Sequence, residues 1–224
     1  MQILLQGGLV VDGSGRPGQK NDILIEDDKI AAIGQIAPSS AMRVLDVKNQ
    51  VVTPGFIDTH SHSDLEVLLR PQVLPKIMQG ITTEILGQDG ISLAPLPKQY
   101  ISTWRKHLAG LDGDSDKVNW EYETTANYLN MLAAAKPGLN EAYLVPHGNV
   151  RMEAMGLSNR LATETDIQKM QAIMRREMEA GAWGLSSGLI YTPCSFANRQ
   201  EIIALCQVVA EYDGCFVVHQ RSEA

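Results

Sequence analysis

Over the first fifty residues the apolar positions come in short runs broken by turn-forming residues. Val10-Val11 leads into Asp12-Gly13-Ser14-Gly15, Ile23-Leu24-Ile25 and Ile30-Ala31-Ala32-Ile33 flank Asp27-Asp28, and Val44–Val47 and Val51-Val52 follow. Such runs predict strands, with a hairpin turning at Asp27-Asp28. A β unit of this size cannot bury two faces alone. Residues 1–53 are therefore expected to need further strands from elsewhere in a parent chain. The segment Gly13-Ser14-Gly15-Arg16-Pro17-Gly18 matches a dinucleotide-binding glycine pattern letter for letter. That motif needs a helix start to receive the pyrophosphate, and here Pro17 runs on into another strand. It reads as a turn.

From Gly55 the period changes. Apolar strands at Gly55–Thr59, Thr82–Leu86, Glu141–Val145, Trp183–Ser187 and Cys215–His219 alternate with helical stretches. Those stretches lie around Pro71–Met78, Gln99–Leu108, Thr124–Ala135 (stopped by Pro137-Gly138), Asp166–Ala180 and Glu201–Tyr212. The helix at Asp166 is the clearest. Thr163 is placed to cap it with Asp166 in the capping-box position, and Gly181 offers the left-handed stop. Ile167, Met170, Met174 and Met178 share one face, a stripe that predicts core packing and not a cofactor contact. Repeated alternation predicts parallel strands with right-handed crossovers, and closed barrels of that kind do their chemistry at the C-terminal strand ends.

The candidate chemistry sits at those ends. Pro54-Gly55-Phe56-Ile57-Asp58-Thr59-His60-Ser61-His62 is an apolar run ending in two histidines one residue apart. In an extended strand Asp58, His60 and His62 would project the same way. Two imidazoles aimed together suit a divalent metal, and that reading is preferred to a strand end carrying two solvated or hydrogen-bonded histidines. Asp89 and His219 also fall just past apolar strands, so His60, His62, Asp89 and His219 form the predicted metal shell.

Charge and cysteine usage narrow the setting. A formal charge of −7 provides no basic stripe for nucleic acid. No stretch approaches a membrane span, and Met1–Gln6 lacks the basic and apolar regions of a signal peptide. Cys194, Cys206 and Cys215 form no even disulfide framework, which points to a reducing, cytoplasmic compartment. Cys206 and Cys215 are expected to be buried packing and Cys194 a plain loop thiol.

Together these residues resemble the amidohydrolase superfamily, and within it the N-acyl-D-amino-acid deacylases. The likeness runs through the Asp12–Gly15 turn, Gly55–Asp64, Gly80-Ile81-Thr82-Thr83-Glu84, His147-Gly148-Asn149-Val150-Arg151, Gly184–Leu189 and His219–Glu223. The resemblance implies a (β/α)8 TIM barrel, of which residues 54–224 would hold about five β/α units. It also implies a small β-sandwich of which residues 1–53 would be the N-terminal part. The activity implied is metal-dependent hydrolysis of N-acyl-D-amino acids to a carboxylate and a D-amino acid. Zn2+ would occupy one tight position, with room for a second, weaker divalent metal. His60 and His62 match the pair on the first barrel strand, and His219 matches the fifth-strand ligand of the tight zinc. Asp89 stands where the deacylases look to have a cysteine, a harder donor that loosens the preference for zinc. The fourth strand has no lysine to bridge two metals, which favours the deacylase branch over hydantoinase- or dihydroorotase-like enzymes acting on cyclic amides.

The sixth-strand histidine and the eighth-strand aspartate expected as general base have no counterpart before Ala224. The chain is therefore expected to be an N-terminal piece of a longer enzyme and inactive by itself. A metal-free scaffold is the non-catalytic alternative. The partner implied is a small N-acyl amino acid. Three further positions each keep two readings: Arg221 binds a substrate carboxylate or pairs with Glu223, Tyr191 lines a pocket or packs in its loop, and His147 meets substrate or is a buried hydrogen-bonded histidine. His107 is expected at the surface.

Overall fold

The computed structural model of the chain describes residues 1–222, which divide after Gly55 into two compact units. The first is a five-stranded sheet built from β1 (Gln2–Val10), β2 (Gln19–Glu26), β3 (Lys29–Gly34), β4 (Met42–Asp46) and β5 (Val51–Val52). β1 is central. It pairs antiparallel with β2 and parallel with β4 and β5, while β3 closes the hairpin predicted at Asp27-Asp28. A bulge between Leu5 and Gly8 places Gly7 at a φ of +79°, where its N–H donates to Asp22 at 2.8 Å. Leu4 and Ile23 are buried, whereas Ile30, Ile33, Val44 and Val51 are exposed. By register Ile30 and Ile33 share the face of Ile23, and Val44 shares that of Leu4, so among the described residues this unit is one sheet with exposed apolar side chains on both faces.

The second unit carries β6 (Phe56–Asp58), α1 (Glu66–Leu69), α2 (Leu74–Ile77), β7 (Ile81–Leu86), α3 (Ile101–Leu108), α4 (Thr125–Ala135), β8 (Asn140–Pro146), α5 (His147–Met155), α6 (Glu164–Glu179), β9 (Gly184–Gly188), α7 (Arg199–Ala210) and β10 (Cys215–His219). Its five strands run parallel in the order β10-β9-β8-β7-β6, the succession expected of consecutive units of a (β/α)8 barrel. The capping box of α6 forms as predicted, with the Thr163 hydroxyl accepting from the Asp166 N–H and the Asp166 carboxylate accepting from Thr163. Met170, Met174 and Met178 are buried against Val145, Leu185, Leu205 and Val208. Each such side chain contributes about 1.5–3 kcal/mol on burial.

The long insertion between β7 and β8 supplies a second core, in which Trp104, Tyr122 and Tyr128 pack with Leu65, Leu86 and Tyr143. Three of the polar ends are satisfied by backbone carbonyls: Trp104 Nε1 donates to Ser92, Tyr143 to Ala94 and Tyr128 to Asp64, whereas the buried Tyr122 hydroxyl has no hydrogen-bond partner among the described residues.

Several expectations need correction. The helix predicted around Pro71–Met78 is only the single-turn α2 (Leu74–Ile77), and α1 (Glu66–Leu69) precedes it unpredicted. Helix α5 was not anticipated, because His147 to Met152 are all buried and an element buried all round shows no amphipathic stripe. Cys215 is exposed on β10, an edge strand, and Cys206 is half-buried, while Cys194 is fully buried.

Candidate metal centre

Strand β6 ends at Asp58, and the backbone bends at Thr59-His60. The strand alternation that would aim Asp58 with the histidines therefore stops there. Asp58 instead pairs with Lys76 Nζ of α2 at 2.8 Å and accepts from the His60 N–H at 3.3 Å. Lys76 also binds the buried Glu84 and donates to the hydroxyls of Ser61 (2.5 Å) and Ser63 (3.0 Å). This polar network ties down the segment carrying His60 and His62. The two imidazoles are aimed by a turn, not by a strand.

Asp89 is presented by a tight turn after β7. Gly87, Asp89 and Gly90 all have positive φ, of 73°, 57° and 70°. Aspartate tolerates that region better than most residues. Gly87 is required on a second count, since a Cβ there would lie 2.0 Å from the Leu144 carbonyl oxygen. The Ser186 hydroxyl of β9 accepts from the Gly90 N–H at 3.0 Å and donates to the Gly87 carbonyl, pinning both ends of the turn. Gln88, wholly buried, donates to the Thr59 carbonyl at 3.0 Å.

Around Asp89 the predicted ligands converge. Its Oδ2 lies 3.2 Å from His62 Nε2 and 3.5 Å from His60 Nε2, and its Oδ1 lies 3.6 Å from His219 Nδ1. Neighbouring ligand atoms on a tetrahedral ion with bonds of about 2.0–2.1 Å stand about 3.3 Å apart. The spacing of the donors therefore fits a divalent cation, as does their chemistry of imidazole nitrogens around one carboxylate. His60, His62 and Asp89 offer ligand atoms within 4.8 Å of one another, and His219 approaches from the other carboxylate oxygen. Burial pushes the Asp89 carboxyl up, but the His62 hydrogen bond and the charges of His60, His62 and His219 outweigh it and hold it below its ordinary range. His60, Asp89, Val218, His219 and Gln220 border a hollow of about 230 Å³.

A second group was missed from the sequence. His62 Nδ1 lies 3.5 Å from Oδ1 of Asp112, whose side chain is fully buried. Asp64, also fully buried, accepts from the Gly87 N–H at 2.9 Å and from the Ser92 hydroxyl. Burial first, then the neighbouring Asp112, pushes the Asp64 carboxyl up to about 7. Asp64 stands two residues beyond His62 and was legible as part of the motif. Asp112 comes from the turn after α3, and nothing in its local sequence marks it.

The remaining predicted residues divide. Tyr191 packs edge-on against His219, with ring centroids 5.1 Å apart, so it borders the centre. Arg221 is committed to the loop after β9, donating to the carbonyls of Ser195 (2.7 Å) and Ala197 (3.0 Å). Its alternative partner, Glu223, lies outside the described residues. His147 is not brought to the centre. It is fully buried, with Nδ1 2.9 Å from the Ser187 hydroxyl and Nε2 2.8 Å from Glu201, which leaves no ring nitrogen for a substrate. Arg151 completes that cluster with a 2.5 Å bond to Glu201. Cys194 lies in the same region, its thiol 3.5 Å from the Gly90 carbonyl. His107 is exposed and stacks on Trp104.

A parallel sheet with imidazoles and a carboxylate gathered at its C-terminal ends defines a class of metal-dependent barrel hydrolases. The model of the Amidohydrolase family matches residues 43–218. A D-aminoacylase of Alcaligenes xylosoxydans xylosoxydans is 38% identical over 99% of this chain and 44% of its own length. The solved N-acyl-D-glutamate deacylase of Bordetella bronchiseptica, complexed with zinc and a phosphonate inhibitor, superposes with a TM-score of 0.89 at 35% identity, over 99% of this chain and 45% of that one. A D-aminoacylase solved to study its binuclear metal centre gives 0.86 at 36% identity, with the same coverage. The chain belongs to the amidohydrolase family. It spans about half the length of the relatives it matches.

Proposed function

We propose that this chain carries the metal-binding part of a hydrolase that cleaves the amide bond of N-acyl-D-amino acids, giving a carboxylate and a D-amino acid. The observation that carries the reading is Asp89, with His60 and His62 on one carboxylate oxygen and His219 on the other. A carboxylate placed to share its two oxygens between donor groups supports one tightly held Zn2+ and a second, weaker divalent ion. The zinc of the N-acyl-D-glutamate deacylase and the binuclear centre of D-aminoacylase point the same way. When bound, a divalent cation polarises an acyl carbonyl and acidifies water near neutral pH.

The chain's own residues hold and orient. The pinned turn fixes Asp89, the Lys76 network fixes the segment of His60 and His62, and Tyr191 walls His219. By the resemblance, the proton-transferring base is an eighth-strand aspartate, a role that none of the residues gathered at this centre takes. The exposed apolar side chains of the N-terminal sheet, Ile30, Ile33 and Val44 among them, support residues 1–53 as part of a small β-sandwich, with residues 54–224 as the first five barrel units. Among the described residues no helix is long and apolar enough to cross a membrane. The three unpaired cysteines support a cytoplasmic setting.

The test is turnover by the full-length protein of N-acetyl-D-amino acids, their L-enantiomers and hydantoins, alongside metal analysis. D-selective deacylation that chelation abolishes and Zn2+ restores is the expected result. Preference for the cyclic amide, or metal below about one-tenth equivalent, overturns it.

A further inference from the structure

The two nitrogens of His62 face different carboxylates. Nε2 is 3.2 Å from Asp89, and Nδ1 is 3.5 Å from Asp112. We propose that Asp112, with Asp64 behind it, is the positioning carboxylate of His62: it receives the Nδ1–H of the imidazole and leaves Nε2 as the electron-pair donor turned toward Asp89. The inference rests on the metal-centre reading above and extends it to how one ligand is oriented.

Three observations carry it. The Asp112 side chain is fully buried, neither of its oxygens has a close hydrogen-bond partner, and His62 is its ion-pair neighbour among the described residues. A buried carboxylate without a donor is costly, and the nearest donor available is the imidazole N–H. His62 Nδ1 is itself buried and without another partner, so the two atoms complete each other by a small closure of the gap. Asp64 adds the link to the rest of the centre. Its Oδ1 holds the Gly87 N–H of the Asp89 turn at 2.9 Å, its Oδ2 is buried without a hydrogen-bond partner, and one of its oxygens lies within 4.8 Å of ligand atoms of His62 and Asp112.

Ligating histidines usually donate their second ring N–H to a carboxylate or carbonyl, which fixes the tautomer and raises donor strength. Here that acceptor arrives from the turn after α3 in the β7–β8 insertion, far from the motif in sequence. The competing reading makes His62, Asp64 and Asp112 a cation site of their own. With Nε2 already serving the Asp89 centre, that requires His62 to lose its last N–H and bind through both nitrogens beside two carboxylates. The acceptor role needs no such deprotonation.

The experiment uses the full chain labelled with 15N-histidine, as wild type, D112N and D112A. It reads the His62 Nδ1–H signal with and without Zn2+, Zn2+ affinity by chelator competition, and thermal unfolding as a fold check. In the wild type a deshielded Nδ1–H is expected with and without metal, with Nε2 free of its proton once Zn2+ is bound. In D112A that signal moves upfield, and Zn2+ affinity falls about 10- to 100-fold, with D112N intermediate. A zinc-loaded wild type carrying its proton on Nε2 overturns the proposal without any variant. So does a D112A protein whose affinity stays within twofold, or a second equivalent of Zn2+ that disappears with Asp112. If Zn2+ fails to bind the wild type, the metal-centre reading falls. The Nδ1–H signal then still decides the role of Asp112: present and moved by D112A it stands as His62's partner, absent it does not.

Discussion

Two histidine–carboxylate clusters stand at the ends of the same sheet, and they differ in where their polar atoms find partners. At His147 both ring nitrogens and both Glu201 oxygens are used internally, by Ser187, Arg151 and each other, with no exposure. At Asp89 three imidazoles crowd one carboxylate, His60 is 51% exposed at its side chain, and a hollow opens beside them. Residue types are alike in both. A closed cluster of this kind specifies packing, whereas one short of partners is prepared to receive a ligand.

The sharpest way to break that contrast is at Glu201. Its replacement by alanine leaves the buried Arg151 guanidinium without its carboxylate, and urea unfolding should show a loss of about 3–5 kcal/mol. A loss below about 1 kcal/mol would mean the closed cluster holds nothing together. Replacing Asp89 by asparagine, which keeps a residue tolerant of positive φ, should do the reverse. Zinc affinity is expected to fall at least about 100-fold, equivalent to about 2.7 kcal/mol, while unfolding stability of the metal-free protein changes by under about 1 kcal/mol. Equal effects on both would dissolve the distinction.

The smallest effect extends the closed cluster outward. Arg151 also donates to the Arg160 carbonyl, and the Arg160 side chain binds Asp166 in the α6 capping box. Hydrogen bonds from Arg160 and Thr163 hold the Asp166 carboxyl well below its ordinary range. Its contribution is therefore complete above the unfolded aspartate value of about 3.9 and is lost as pH falls through the lower folded value. Acid unfolding of Thr163→Ala should begin at higher pH than in the wild type, with about 1 kcal/mol lost at neutrality. An unchanged acid limb would show the cap to be idle.

The sequence made the alternation of strand and helix legible because period is a local property. The residues proposed for the metal shell could be picked out because each lies at or just past the end of an apolar strand. Asp58 misled for the same reason. Strand alternation projects it beside His60, but the bend after Asp58 and the pull of Lys76 turn it elsewhere, and neither is visible in a two-residue spacing. Asp112 could not be found at all, because a turn in an insertion becomes part of the centre only once Trp104, Tyr122 and Tyr128 have folded that insertion against β7. Helix α5 was hidden by being buried on every side.

Ser186 gives the centre one more property. The Asp89 turn follows β7 in the chain, yet its two ends are fastened to β9, on the far side of β8. A cation seated on Asp89 would then act as a rivet through three strands. Since whatever binds only the folded form stabilises it, stripping the ion should quicken amide exchange in β9, a strand that supplies no ligand of its own.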